Sequence, residues 1–170
     1  ENYVRFRENA LKDFRDQLKT GTDTAARYGE TNEHFAAGEE FPQWLNDSVI
    51  IYVKSSFKKI ATFYRRIIIS GEEKKIKTKD ISIDNYYSLR NGKIVYAAYK
   101  PDARWGWRNY GTINLLDVSS GEEKMLTQKT KYFSPDISAD GKRIVAVNYE
   151  PSGESALHLL DAVSGGVILK

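Results

Sequence analysis

The segment from Lys100 to Gly111 concentrates the side chains that most often bind other molecules. It holds two tryptophans, one tyrosine and two arginines between two apolar runs: Arg104, Trp105, Trp107, Arg108 and Tyr110. Exposed Trp and Arg dominate binding surfaces, and an aromatic platform flanked by cations also suits peptides or sugars. Two hypotheses are open. Either the five residues form a surface for a protein partner or a small peptide or glycan, or Trp105 and Trp107 fold down over the N-terminal helix or a sheet rim as a small satellite core.

Catalytic constellations are not visible in the sequence. There is no G-x-S-x-G elbow, no H-E-x-x-H and no phosphate-binding G-x-x-x-x-G-K-[ST] loop. The absence of Cys excludes disulfides and thiolate chemistry. Asp136 and Asp140 could form a carboxylate pair for acid–base work or cation binding, but a strand start and a turn are also where Asp caps backbone N–H groups. We therefore expect no catalytic residue, no metal, no cofactor and no enzymatic activity.

Positive charge is concentrated in one part of the chain. The formal net charge is +3, yet residues 54–79 carry nine bases and only two acids. Such an island either marks an anionic partner or is a solvated strand face that discourages edge-to-edge pairing. We expect no nucleic-acid partner. We also expect no transmembrane segment, because apolar runs such as residues 67–69 are far shorter than the roughly 20 residues that cross a bilayer.

The elements that must position these residues fall into two regions. Over residues 3–19, apolar residues with helical spacing predict an amphipathic helix, with Val4, Leu11, Phe14 and Leu18 on one stripe. Gly-containing polar residues 22–40 predict an irregular arm. From residue 41 onward, turn signals separate short apolar runs about every ten residues, which is typical of strands. The predicted division is 1–40 for helix and arm and 41–170 for an all-β domain.

Internal repetition specifies the β architecture. Three similar segments begin near residues 44, 87 and 136. The spacing between their Gly turns, at Gly71, Gly121 and Gly165, is about the length of one four-stranded propeller blade. Asn91-Gly92 and Asp140-Gly141 predict tight turns with positive φ between the first two strands of a blade. The continuous apolar run 143–147 predicts an inner strand that is buried on both faces. The sequence thus predicts three four-stranded antiparallel blades.

The third segment also carries a recognisable motif. Residues 133–145, FSPDISADGKRIV, resemble the Ser-Pro-Asp-x-Ser-Pro-Asp-Gly-Lys motif of TolB-like, or WD40-like, β-propeller repeats, with Ala139 in place of the second Pro. The resemblance covers about residues 41–170. It implies a bacterial scaffold, periplasmic or associated with the outer membrane, that binds a partner without catalysis. The alternative is an excised propeller part of a larger envelope peptidase or hydrolase, in which it positions or gates substrate.

The number of blades raises the question of closure. Closed propellers have about 4–8 blades, so three leave the outward faces of the first and last blades open. The helix could cover one of them. We expect either self-association through an open blade face or a longer native molecule, and the lack of an initial Met and of a signal peptide favours the second expectation.

Overall fold

The chain forms a helical unit and a β unit in a computed structural model that describes residues 3–20, 37–82 and 86–170. The two units comprise residues 1–32 and 33–170. In the first, α1 spans Tyr3–Thr20, which confirms the predicted helix, and Val4, Leu11 and Phe14 are exposed. The side chain of Leu18 and most of the predicted arm lie outside the described residues. The described part of the chain includes no helix with the length and apolar character needed to cross a bilayer.

Twelve strands make up the β unit. They are β1 (Ala37–Asn46), β2 (Val49–Ser56), β3 (Lys59–Ile67), β4 (Glu73–Thr78), β5 (Ser88–Arg90), β6 (Lys93–Pro101), β7 (Asn109–Asp117), β8 (Glu123–Met125), β9 (Tyr132–Ile137), β10 (Arg143–Tyr149), β11 (Ser155–Asp161) and β12 (Val167–Leu169). Each run of four consecutive strands forms its own antiparallel sheet. We call these sheets blade 1 (β1–β4), blade 2 (β5–β8) and blade 3 (β9–β12). The predicted three four-stranded antiparallel blades are confirmed.

Two predicted boundaries shift because the strand ladders extend further than the apolar runs. Residues 37–40, which the sequence analysis assigned to the arm, pair with residues 53–56 and form the start of β1. The β6–β7 ladder continues to the pair Pro101 and Asn109. The loop that the sequence predicted at about a dozen residues therefore contains only residues 102–108, and its base is held by backbone hydrogen bonds.

The hairpin turns agree with the sequence at one position and differ at another. Asn91 and Gly92 have φ of 49° and 68°, the two left-handed residues that a tight β5–β6 turn requires. In the β9–β10 turn, Gly141 is left-handed with φ of 69°, whereas Asp140 is not, so the prediction was wrong for Asp140. The longer connection explains the difference, because five residues separate β9 from β10 and Gly141 N donates to Ser138 O at 2.8 Å.

Blades 1 and 2 share an aromatic core. Phe63 from blade 1 packs edge-on against Tyr87 and Tyr96 from blade 2, with ring centroids 5.2 and 5.4 Å apart. All three rings are fully buried. The Tyr87 hydroxyl lies 2.8 Å from the backbone oxygens of Phe41 and Ile51 and can donate its single proton to either, so its polar group is satisfied inside the interface. The core joins the two blades through both ring packing and hydrogen bonds.

The strand β6 lies between two such cores, whereas β10 does not. Ile94 and Tyr96 of β6 face blade 1, Val95 faces blade 3, and all three are fully buried. In β10, Ile144 is fully buried against blade 2 but Val145 on the opposite face is 36% exposed. The prediction that 143–147 is buried on both faces was therefore wrong, because the outward face of blade 3 has no neighbouring blade among the described residues.

Candidate functional site

A single carboxylate organises the loop that connects β6 to β7. One oxygen of Asp102, Oδ1, accepts hydrogen bonds from the backbone N–H of Arg104 at 2.8 Å and of Trp105 at 3.1 Å. Its other oxygen accepts the Tyr110 hydroxyl at 2.7 Å. The backbone closes the same loop, because Asp102 N donates to Arg108 O at 2.8 Å. The seven residues are thus fixed from both ends.

The protonation states of this pair follow from their contact. The hydrogen bond from Tyr110, followed by those from the backbone of Arg104 and Trp105, lowers the pKa of Asp102. The same contact with Asp102 raises the pKa of the Tyr110 hydroxyl. At neutral pH the carboxylate is therefore charged and the hydroxyl is its donor, so the loop is held in one hydrogen-bonded arrangement.

The fixed loop presents its aromatic side chains to solvent. Trp107 is fully exposed and Trp105 is 60% exposed. The Arg104 guanidinium lies 5.5 Å from the centre of the Trp105 ring, and that of Arg108 lies 5.3 Å from the centre of the Tyr110 ring. All five residues singled out from the sequence lie on this loop and at the start of β7. Within the β unit neither indole is packed against a blade rim as a satellite core, and the binding role of the two tryptophans stays a prediction.

The connection between blades 2 and 3 lies beside this loop. Gly111 N donates to Thr130 O at 2.9 Å, and the Thr130 hydroxyl donates to Gly111 O at 2.7 Å. A Cβ on Gly111 would stand 2.5 Å from the backbone oxygen of Tyr132, so only glycine permits this close approach. The contact brings Lys129 and Lys131 next to the aromatic loop.

These two lysines are site residues that the sequence analysis did not name. A topological signal was available, since loops between the second and third strands and connections between blades lie on the same face of a propeller. Nothing in the short run Gln128–Lys131 itself distinguishes it from an ordinary polar turn. Its placement follows from the approach of Gly111 to Thr130 and Tyr132.

Two grooves flank the loop and share two residues. The first has a volume of about 440 Å³ and is lined by residues 100–104 together with Met125 and Gln128. The second has a volume of about 350 Å³ and lies between Arg108 and the β10–β11 loop of blade 3. Tyr110 and Lys129 border both grooves. The aromatic loop is therefore a ridge between two concave surfaces.

The aspartates that could have formed a carboxylate pair have structural hydrogen bonds. Asp136 accepts the hydroxyl of Ser88 across the blade 2–blade 3 boundary. Asp140 accepts the Ser138 hydroxyl at 2.5 Å and the backbone N–H of Lys142 at 3.0 Å, and these bonds lower its pKa. Within the described residues no three His, Asp or Glu side chains cluster as metal ligands would. The absence of a metal and of catalysis stays a prediction.

Part of the basic island is occupied by internal contacts. Lys54 and Arg66 form ion pairs with Glu39 and Glu73. Lys79 is buried, with its ammonium 5.3 Å from the centre of the Tyr96 ring. The solvated-face interpretation therefore does not apply to these three cations. The remaining positive residues include Arg65, Lys74 and Lys75, which border a small groove beside the β7–β8 turn.

Comparison with known proteins places the fold. No family model and no curated protein matches the sequence. Among solved structures, TolB from Acinetobacter baumannii superposes with a TM-score of 0.54 at 21% identity, over 72% of this chain and 29% of that one. The β-propeller domain of the Trilobed protease from Pyrococcus furiosus, which has an open velcro topology, superposes with a TM-score of 0.55 at 15% identity. The match covers 81% of this chain and 43% of that one. The fold is that of a TolB-like β-propeller.

The propeller fold also occurs in peptidases that resemble this chain. Acylaminoacyl peptidase from Pyrococcus horikoshii superposes with a TM-score of 0.58 at 15% identity, over 78% of this chain and 24% of that one. The chain thus spans less than half the length of each of these solved chains. At these identities the likeness concerns the propeller fold and not a shared activity.

Proposed function

We propose that this propeller is a non-catalytic binding scaffold whose ligand surface is the exposed loop of residues 102–108 with Tyr110. The observation that carries the proposal is the combination of a fixed loop backbone with a fully exposed Trp107. Moving the apolar surface of a large aromatic side chain from water into contact with a partner is favourable, so covering Trp107 would contribute to binding. Because the loop is already ordered, binding costs little conformational entropy there.

The ligand class that fits this surface is a protein partner, a short peptide or a glycan. Each tryptophan offers a flat apolar face. Arg104 and Arg108 lie next to aromatic rings, where their N–H groups can donate to carboxylate or hydroxyl oxygens of a ligand. The resemblance to TolB-like repeats supports a location in the bacterial cell envelope, in the periplasm or at the outer membrane.

A second candidate function is that of a propeller within a larger envelope peptidase or hydrolase. Its support is the superposition on acylaminoacyl peptidase and on the Trilobed protease propeller, each longer than this chain. In that case the same loop would position or gate a substrate peptide. Sequencing the complete reading frame separates the two candidates, because a hydrolase elbow or a metal-binding H-E-x-x-H beside the propeller would support the enzyme.

The binding surface is tested by removing its aromatic rings. The chain and its Trp105→Ala/Trp107→Ala variant are immobilised and probed with a peptide library and a glycan array. We expect that at least one ligand binds the wild-type chain and that its affinity for the variant is at least about tenfold lower. The reason is that aromatic hot spots contribute about 2 kcal/mol or more each. The melting temperature should remain unchanged, because neither indole is buried.

Trp44 provides the matched control. It is 63% exposed but lies on β1 in blade 1. Trp44→Ala should retain every ligand that the double variant loses. A double variant that melts well below the wild type, or that keeps all ligands, would show that Trp105 and Trp107 do not form a binding surface.

A further inference from the structure

The second groove has a strongly asymmetric charge. Four cations from three segments border it: Arg108 of the β6–β7 loop, Lys129 and Lys131 of the connection between blades 2 and 3, and Lys170 after β12. Glu150 is the one acidic side chain among its described lining residues, and its carboxylate accepts a hydrogen bond from the Asn148 amide at 2.6 Å. Like charges brought together by three separate segments repel each other, so their convergence lowers stability unless an anion is bound.

Buried polar side chains form the floor of this groove. His158 and Asn148 are only 6% and 8% exposed. The Nδ1 atom of His158 lies 2.9 Å from the Tyr132 hydroxyl, while its Nε2 makes no hydrogen bond to any residue that the structure describes. The floor therefore holds a fixed imidazole with one nitrogen left for another partner.

The backbone at Lys129 is strained where the two grooves meet. Its φ is 53°, in the left-handed region that glycine adopts freely and that costs a residue with a side chain about 1 kcal/mol or more. Lys129 borders both grooves. Glycine would fit this turn with less strain, so the turn geometry by itself does not account for a lysine at this position.

We propose that the second groove binds the carboxylates of an acidic peptide segment, with Arg108, Lys129 and Lys131 as the cations that hold them. This inference rests on the proposed binding function and names its ligand. The volume of about 350 Å³ is at the lower end of ligand sites and suits a few side chains of an extended segment. Tyr149 and Pro151 on the far wall supply apolar surface for the peptide's other atoms.

The stacked arginine adds specificity for carboxylates. The Arg108 guanidinium lies over the Tyr110 ring, which restricts its orientation and leaves its forked N–H donors for a planar, two-oxygen acceptor. A sulfated glycan is also anionic, but its sulfate groups are tetrahedral, whereas the forked N–H donors of Arg108 match a planar carboxylate. The glycan is therefore the competing outcome of the test.

The test measures fluorescence anisotropy of a labelled hexaglutamate peptide with the full chain, beside hexaglutamine and a sulfated tetrasaccharide as comparison ligands. We expect hexaglutamate to bind most tightly. Lys129→Gln and Lys131→Gln should each weaken it by about two- to fivefold, as expected for exposed ion pairs. Lys142→Gln, which removes an exposed charge from the β9–β10 turn, is the matched control and should leave affinity unchanged.

A glycine variant separates a binding role from a structural one. Lys129→Gly removes the side chain and relieves the left-handed strain, so we expect its melting temperature to stay level or rise by about 2–4 °C while hexaglutamate affinity falls. If the Lys129 side chain had only a structural role, its removal would not lower hexaglutamate affinity while raising the melting temperature.

Three outcomes would overturn the inference. These are equal affinity for hexaglutamate and hexaglutamine, tighter binding of the sulfated tetrasaccharide, and an equal loss in Lys142→Gln, which would indicate only general charge attraction. If hexaglutamate fails while the Trp105→Ala/Trp107→Ala variant still loses an array ligand, the groove assignment is wrong and the proposed function stands. If the groove variants behave as expected but the tryptophan variant loses nothing, the loop is not the binding surface.

Discussion

The outward faces of blades 1 and 3 are both open within the described β unit, but they differ in chemistry. On blade 1, Arg66 forms a bidentate pair with Glu39 at 2.9 and 3.2 Å and a further bond to Glu73 at 2.7 Å. Lys54 lies 3.1 Å from Glu73, and the Tyr52 hydroxyl donates to the same carboxylate. Each charged group in this ion network has an oppositely charged partner within the network, so the face is stable in contact with water.

Blade 3 presents an apolar face instead. Val145 lies opposite Leu159 on the neighbouring strand, and Leu159 lies opposite Leu169 on the next. These three residues form one row across the blade, and Val147 opposite Leu157 forms a second row beside it. Leu157 and Leu169 are 65% and 66% exposed. Adjoining rows of exposed aliphatic side chains are typical of surfaces at which proteins associate.

Because one outward face is charged and the other is apolar, blades 1 and 3 are not interchangeable as contact surfaces. A head-to-tail contact between two copies would lay the apolar face of blade 3 on the ion network of blade 1. Removing those four charges from water costs several kcal/mol with no new partner for them. A ring in which blade 3 of each copy packs on blade 1 of the other is therefore unfavourable. We propose instead that two copies associate through their blade 3 faces.

The largest expected effect tests the two faces of β10. Ile144→Ala should lower the free energy of unfolding by about 2–4 kcal/mol, because Ile144 is fully buried between blades 2 and 3. Val145→Ala, one residue along and on the open face, should lower it by about 1 kcal/mol at most. Urea denaturation measures both. Equal losses would mean that the outward face is as well packed as the inner one.

The next effect tests the ion network of blade 1. Arg66→Ala leaves Glu39 and Glu73 without their main cation and should cost about 2 kcal/mol, less than a fully buried pair because both carboxylates are at least a quarter exposed. Arg65→Ala, on the other face of β3, is the control and should cost under about 0.5 kcal/mol. Similar losses in thermal unfolding would contradict a special role for the network.

The pH dependence of the same variant gives a second measurement. Burial raises the pKa of Glu73, but hydrogen bonds from Tyr52, Arg66 and Lys54 outweigh it, so the folded pKa lies below its ordinary value of 4.5. A depressed carboxylate pKa contributes stability above 4.5 that is lost as the pH falls through the folded value. The gap between wild type and Arg66→Ala should therefore narrow below about pH 4.5.

The smallest effect on stability, and the most informative on assembly, comes from Leu157→Lys. The residue is exposed, so unfolding should change by about 0.5 kcal/mol or less. Light scattering at increasing concentration should show wild-type association that the variant lacks. Tyr64→Lys on blade 1 serves as the control for the opposite face. A wild-type chain that stays monomeric at high concentration would end the proposal of self-association.

Much of the fold could be predicted because its signals are local. The repeat spacing, the Asn91-Gly92 turn and the alternating apolar runs each depend on a few neighbouring residues, and the structure confirms the blades that they predicted. The aromatic loop was also visible as composition. The cations beside it were not, because Lys129 and Lys131 reach the loop only through the close approach of Gly111 to the chain near Tyr132.

The sequence by itself determined the three blades, the helix and the loop in which Arg104, Trp105, Trp107, Arg108 and Tyr110 lie. Hydrogen-bonded turns and strand periodicity act over a few residues, so they can be read along the chain. The tertiary structure alone decided which faces are buried. An apolar run such as 143–147 specifies two apolar faces, but whether each is covered depends on the neighbouring blade. In the described part of the chain, only the face of β10 that carries Ile144 has such a neighbour.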